Sequence, residues 1–189
     1  MVWDSLKDAK MSSSNLVNIW LDIKNGYGSI PHELIFFALE RYGVPCKWVN
    51  IIRNYYSGLW SKSFSVSSPS SWFRHEQGIF AGCTISIILF LCGINVVIEY
   101  IVSSSVNPFV FSSNVSQPLV RAFMDDLDLM CVSIEDGQSL LSRAGIALKW
   151  ARMQVRSDKS RSVIIKNGRV VNKSPFSLNE DSSSIPQLK

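Results

Sequence analysis

Along the 189 residues, short apolar runs alternate with longer stretches in which apolar positions recur every three or four residues. Residues 17–23 (VNIWLDI) are apolar enough for a central strand. Asn25-Gly26-Tyr27-Gly28 breaks that strand, the two glycines supplying unusual backbone angles. Leu34, Ile35, Phe37, Ala38 and Leu39 then fall at helical spacing, which predicts a helix from about Ser29 to Gly43 with Pro31 in its first turn. Pro45 opens a second helix, carrying Trp48, Ile51, Ile52 and Tyr55 and ending near Gly58. From Ser61, polar residues alternate with Phe64 and Val66, and 72–75 (WFRH) is a candidate hairpin partner beyond the turn-rich 67–71.

A glycine-framed loop, 78–82, feeds Thr84–Val102, which is almost continuously apolar. Its length suits a membrane span, which takes about 20 residues. Ser86, Gly93, Asn95 and Glu99, with no basic cluster at either end, suit a helix buried beneath a sheet instead. A carboxylate inside a span would cost roughly 2.5–3.5 kcal/mol. The buried helix is the reading taken here, and no membrane partner is expected. Residues 103–117, serine-rich and containing Pro108, read as a surface loop. Two short apolar strands, 119–123 and 127–132, flank Met124-Asp125-Asp126, a tight hairpin with two carboxylates at its tip. A helix over 136–153 gathers Leu140, Leu141, Ala144, Ala147, Leu148 and Ala151 on one face. Residues 162–166 and a strand after Gly168 are joined by Asn167-Gly168, and from Asn172 the chain is polar without a packed element. The irregular mixture with an antiparallel hairpin predicts an α+β fold, an antiparallel sheet packed on helices.

Composition narrows the class. Apolar residues at 47% and charged residues at 18% exclude a disordered chain and call for a sizeable core. Nineteen Lys and Arg against fifteen Asp and Glu leave a net charge of +4, compatible with a polyanionic partner without requiring one. Cys46, Cys83, Cys92 and Cys131 form no C-x-x-C pair, and His32 and His75 add no zinc-ligand spacing. Their apolar neighbours suggest four buried, reduced thiols and an intracellular, nuclear or cytoplasmic, setting. The N-terminal MVWDSLKDAKMSSS has no apolar signal core.

The candidate chemistry lies in carboxylates. Adjacent aspartates repel and raise one another's pKa unless a cation compensates, so Asp125-Asp126 is either a solvated turn or a site. Asp22 ends an apolar strand just before a break, where polar sites collect in sheets. If that strand neighbours the hairpin, three carboxylates meet at one sheet edge. Mg²⁺ takes oxygen ligands of this kind and shares them with substrate phosphates. Two such ions about 4 Å apart can stabilise both the attacking and the leaving oxygen of a phosphoryl transfer.

Residues 21–32 (LDIKNGYGSIPH) resemble the first catalytic motif of reverse transcriptases from non-LTR retrotransposons. Residues 78–90 (GIFAGCTISIILF) are similar to their second motif, and Ala122-Phe-Met-Asp-Asp126 to their aromatic-x-Asp-Asp hairpin. Trp150-Ala-Arg-Met, with Ser157-Asp-Lys-Ser-Arg-Ser162 and Lys166-Asn-Gly168, resembles the palm helix leading into a lysine-bearing turn. The order and spacing of these motifs match across nearly the whole chain. The resemblance implies an RNA-directed DNA polymerase that uses two Mg²⁺ ions, or Mn²⁺, with an RNA template, a DNA primer and deoxynucleotides as partners. It implies that Asp22, Asp125 and Asp126 hold the metals. Tyr27 would pack against the incoming sugar, Gly82 would let the nascent base pair approach, and Lys159 would protonate or neutralise the leaving pyrophosphate. Without the resemblance Tyr27 reads equally as a core aromatic and Lys159 as a solvated turn lysine; Arg156, Arg161 and Lys166 read as cations that could meet phosphates nearby, or more plainly as a solvated basic face. His32 reads as a helix-start residue. Ala81 stands where many relatives carry glutamine, and Ile87 where a proline is usual. The expectation is a single partial domain over 1–189. Its palm core covers 15–30 and 78–171, a helical and hairpin insertion 31–77, and a polar tail 172–189. The fingers would be partial and the thumb absent, leaving an activity that is weak or, in the alternative, a palm remnant that only binds nucleic acid.

Overall fold

In the computed structural model, which describes residues 2–62, 70–171, 176–178 and 185–186, a five-stranded sheet gathers segments far apart in the chain. Its members are β1 (Leu16–Asp22), β4 (Val120–Phe123), β5 (Asp126–Cys131), β6 (Arg161–Lys166) and β7 (Arg169–Val170). The order is β4-β5-β1-β6-β7, and every neighbouring pair is antiparallel. β1 is therefore central, flanked by strands that follow it by more than a hundred residues. Its alternation is readable in burial: Val17, Ile19 and Leu21 face one side, with Asn18, Trp20 and Asp22 on the other. The first side is covered by α6 (Ile134–Trp150), whose Gly137 comes so close that an added Cβ would lie 2.9 Å from Val17 and 3.0 Å from Phe176. Ser133 caps this helix by accepting from the Asp136 N–H at 3.0 Å. On the opposite side, α1 (Val2–Met11) covers only the far end of the strands. There Ala9 and Leu6 close on Leu16, Met130, Ile165 and Phe109. The other end of that side, where Asp22 lies, is free of this cover.

Residues Met1–Lys24 and Val97–Lys189 form one unit and Asn25–Val96 a second. The second contains α2 (Gly26–Ser29), α3 (His32–Arg41), α4 (Cys46–Ser57), the two-stranded β2 (Trp60–Ser61) and β3 (Phe73–Arg74), and α5 (Thr84–Val102) as far as Val96. α3 and α4 are joined by Arg53, which pairs with Glu40 at 3.1 Å and Glu33 at 3.5 Å and lies over the Phe36 ring. His32 is buried, with Nε2 2.7 Å from the Gly78 carbonyl and its ring against Tyr56, a structural role at the start of its helix.

Several expectations are corrected. The break after β1 comes from Asn25, whose φ is 51°, followed by a single helical turn at Gly26–Ser29; neither Gly26 nor Gly28 is left-handed. Asn tolerates that region because its short side chain bonds locally. Pro31 and Pro45 are the residues just before α3 and α4 rather than first-turn members. α4 turns Val49 and Tyr56 inward and leaves Trp48, Ile51 and Tyr55 exposed, so its most conspicuous apolar stripe is not its core face. α5 is buried along Leu89, Phe90, Ile94, Val97 and Ile101, whereas Ile85, Ile87, Ile88 and Leu91 are exposed. By length and composition it could cross a membrane, and 39% of its most apolar window is buried. With apolar residues all round, its periodicity could not select a face. Only Cys131 among the cysteines is buried; Cys46 is exposed, Cys83 and Cys92 lie between, and all four are free. Phe176 and Ile185, within the stretch expected to be an unpacked tail, are buried, and Ile185 N–H donates to the Phe176 carbonyl at 2.9 Å. α1 was not anticipated from the sequence. Phe64 and Val66, and most of the tail beyond Asn172, lie outside the described residues.

Candidate active site

The hydrophobic alternation of β1 and β5 sets a register in which Asp22, the last residue of β1, lies directly opposite Asp126, the first of β5. Cα atoms so paired are about 4.5–5.5 Å apart. Asp125 sits in the two-residue turn between β4 and β5, behind Met124, whose φ is 55°. The Ile23 N–H donates to the Asp125 carbonyl at 3.0 Å, tying the end of β1 to that turn. The three carboxylates thus share one end of the sheet, with Asp125 in the turn and Asp126 already in the strand. Burial raises the Asp126 pKa first, the charges of Asp125 and Asp22 raise it further, and Lys159 opposes them.

A turn after α6 is strapped to the same strand end. The Arg156 N–H donates to the Asp22 carbonyl at 2.8 Å, and the Asp22 N–H to Ser160 Oγ at 3.3 Å. Ser160 Oγ donates in turn to the Arg156 carbonyl at 2.8 Å, closing a small ring of bonds around the backbone of Asp22. Ser160 is buried, and Lys159 is exposed one residue before it. The Arg156 guanidinium meets Asp158 at 2.9 Å (Nη2 to Oδ2) and stands 4.0 Å from Asp22 (Nε to Oδ1). The hydrogen bond with Arg156 holds the Asp158 carboxyl below its usual range, and the same contact raises the Arg156 pKa.

Two residues beyond Asp126, on the same side of the sheet, Asp128 is buried between β1 and β4. Asn18 Nδ2 donates to Asp128 Oδ1, and Arg121 Nη1 is 3.8 Å from Oδ2. Burial raises the Asp128 pKa, countered by Asn18 and then by Arg121. Sequence reading missed this trio. The signal was present: an acid inside the apolar run 127–131 must find partners when it is buried.

Tyr27 and Gly82 belong to the second unit. The Tyr27 ring packs on Phe90 with centroids 5.0 Å apart, and its carbonyl accepts from the Ile79 N–H at 2.7 Å. Gly82 has φ +89° and open space where a Cβ would stand, so its backbone, rather than a packed neighbour, demands glycine.

The donor chemistry of the cluster fits a hard divalent cation: three carboxylates gathered at one sheet end. Among the described residues, no three His, Cys, Asp or Glu side chains are drawn close enough around one point to enclose an ion. The backbone therefore brings the donors together, and their side chains do not form a closed shell.

Comparison with known proteins shows the family and the fold. Residues 2–181 match the family described as reverse transcriptase (RNA-dependent DNA polymerase). The chain is 26% identical over 160 residues to the retrovirus-related Pol polyprotein from type-1 retrotransposable element R2 of Nasonia vitripennis. It is 28% identical over 175 residues to the corresponding polyprotein from type-2 retrotransposable element R2DM of Drosophila melanogaster. These alignments cover 85% and 89% of this chain but only 15% and 16% of the two relatives. Among solved structures, apo telomerase from Candida tropicalis superimposes with a TM-score of 0.64 at 12% identity, covering 93% of this chain and 32% of that one. The same enzyme truncated of its C-terminal domain gives 0.62 at 10% identity, covering 97% of this chain and 38% of that one. These structures share the fold, a partial palm-like arrangement of helices and antiparallel sheet.

Proposed function

This chain belongs to the reverse transcriptase family, of the non-LTR type, and from that premise we propose that it extends a DNA primer on an RNA template by nucleotidyl transfer. The family is in general metal-dependent. Asp22, Asp125 and Asp126 would hold two Mg²⁺ ions, with Mn²⁺ as a substitute. When bound, the ions stabilise charge on the attacking 3′-hydroxyl and on the leaving pyrophosphate. The chain's own residues do the rest. The ring of hydrogen bonds through Ser160 and Arg156 holds the backbone of Asp22, so its carboxylate is presented from a fixed strand end. Lys159, exposed on that strapped turn, would neutralise or protonate the departing pyrophosphate. Tyr27 would pack against the sugar of the incoming deoxynucleotide, and Gly82 would leave room for the nascent base pair.

One observation carries this reading: the register that sets Asp22 opposite Asp126, with Asp125 in the adjoining turn. Primer extension on a poly-A template tests it, with Asp125→Asn as the control. Extension by the wild-type chain and its loss in the variant support the proposal, and extension that survives the substitution removes the site assignment. A second reading, a palm that binds nucleic acid without extending it, draws on the open arrangement of the carboxylates. It expects RNA binding with no extension at any divalent-ion concentration.

A further inference from the structure

We infer that Arg156 is a resident counter-cation of Asp22, one that competes by charge with a divalent ion entering the carboxylate cluster, and that Asp158 holds its guanidinium back from Asp22. The ligand of this inference rests on the metal-site reading above; its structural basis is separate. The Arg156 N–H is bonded to the Asp22 carbonyl, so the arginine side chain leaves the backbone beside that carboxylate. One guanidinium then stands beside two acids: Nε and Nη2 donate to Asp158 Oδ1 and Oδ2 at 3.4 and 2.9 Å, while Nε lies 4.0 Å from Asp22 Oδ1. Asp22 is 27% exposed and Arg156 37%, so solvent screens their attraction only in part, whereas Asp158 at 68% is a solvated anchor. Asp125, Asp126 and Lys159 also carry charge at this sheet end, and Arg161 Nη1 donates to the Asp158 carbonyl at 2.6 Å.

An ion bound by Asp22 meets Arg156 as a like charge within a few ångströms. The guanidinium can yield by moving away from Asp22 while keeping both of its bonds to Asp158. The arginine therefore relieves repulsion among the carboxylates before an ion arrives and weakens the ion's hold afterwards. It is a positioning residue, acting on the cluster through charge.

Mn²⁺ binding to the full chain, followed by electron paramagnetic resonance of the free ion, tests this independently of turnover. Arg156→Gln removes the competing charge and is expected to tighten binding roughly threefold to tenfold. Asp158→Asn leaves Asp22 as the acid the guanidinium still faces, and is expected to weaken binding by a similar factor. Arg156→Lys keeps the charge and should stay near wild type. Unchanged affinity in both Arg156→Gln and Asp158→Asn overturns this inference and leaves the metal site standing. If wild type and Arg156→Gln both bind no more Mn²⁺ than an Asp22→Asn, Asp125→Asn double variant, the metal site falls, and this inference with it.

Discussion

Asp22 and Asp126 face one another across the antiparallel pair of β1 and β5, although 104 positions separate them in the chain. The pairing places like charges side by side. Such an arrangement costs stability, and the predictions begin from that cost.

Desolvation at the strand start, although Asp126 is exposed, and then the charges of Asp125 and Asp22 raise its pKa above the usual carboxylate range. Its folded pKa exceeds its unfolded one, so the folded state binds more protons between them, and stability falls as pH rises through the folded value. Asp126→Asn should therefore raise the melting temperature near neutral pH, by roughly 1–3 °C for a chain of this size. The gain should vanish below the ordinary carboxylate range, where wild type is protonated too. Calorimetry across pH checks this; a variant less stable than wild type at neutral pH contradicts it.

Ser160 supplies the hydroxyl that accepts from Asp22 and donates to the Arg156 carbonyl. Ser160→Ala should cost about 1 kcal/mol, chiefly because the Asp22 N–H loses its partner, while the Arg156 carbonyl keeps the backbone N–H groups of Lys159 and Ser160. Primer extension should fall by more than the loss of folded protein explains, since Asp22 loses one of its anchors. Urea denaturation and extension at matched folded fraction separate the two effects.

Asp128 is held by Asn18 and Arg121 in a buried setting. Arg121→Ala should destabilise by on the order of 3 kcal/mol, leaving a carboxylate without its counter-charge. Adding Asp128→Asn should recover most of the loss. The Asp128 pKa is raised on folding, so the single variant should also regain stability as pH falls and that carboxyl protonates. Equal losses in the single and double variants would exclude the coupling.

The cysteines should react unequally. Backbone N–H of Ile85, then the Ser86 hydroxyl, lower the Cys83 pKa at the start of α5, while burial raises that of Cys92 and takes Cys131 up to about 12. Iodoacetamide at mildly alkaline pH should label Cys83 well before either, as peptide mass mapping would reveal. Labelling of Cys131 in the folded chain at a comparable rate would contradict the burial seen here.

Much of this protein was legible before folding. Short apolar runs marked the strands of the main sheet. Asn167-Gly168, with φ of 50° and 75°, made the turn its dipeptide called for. Leu140, Leu141, Ala144, Ala147 and Leu148 marked the buried face of α6. Ordered motifs placed Asp22, Asp125 and Asp126 in one family's pattern. Local rules suffice where a pattern has one way to be buried. They failed for α4, whose apolar stripe outnumbers the two positions that reach the core, and for α5, which has no polar face to orient it.

The tertiary structure alone decided which distant residues meet. Strand order, which no local periodicity encodes, put β1 between β5 and β6 and so set Asp22 opposite Asp126. The same order brought Arg156 and Ser160 to the end of β1 and enclosed Asp128 between Asn18 and Arg121. Residue type and spacing determine what a segment can form and which groups it can offer. Charge coupling falls steeply with distance through space, and only the packed chain sets those distances.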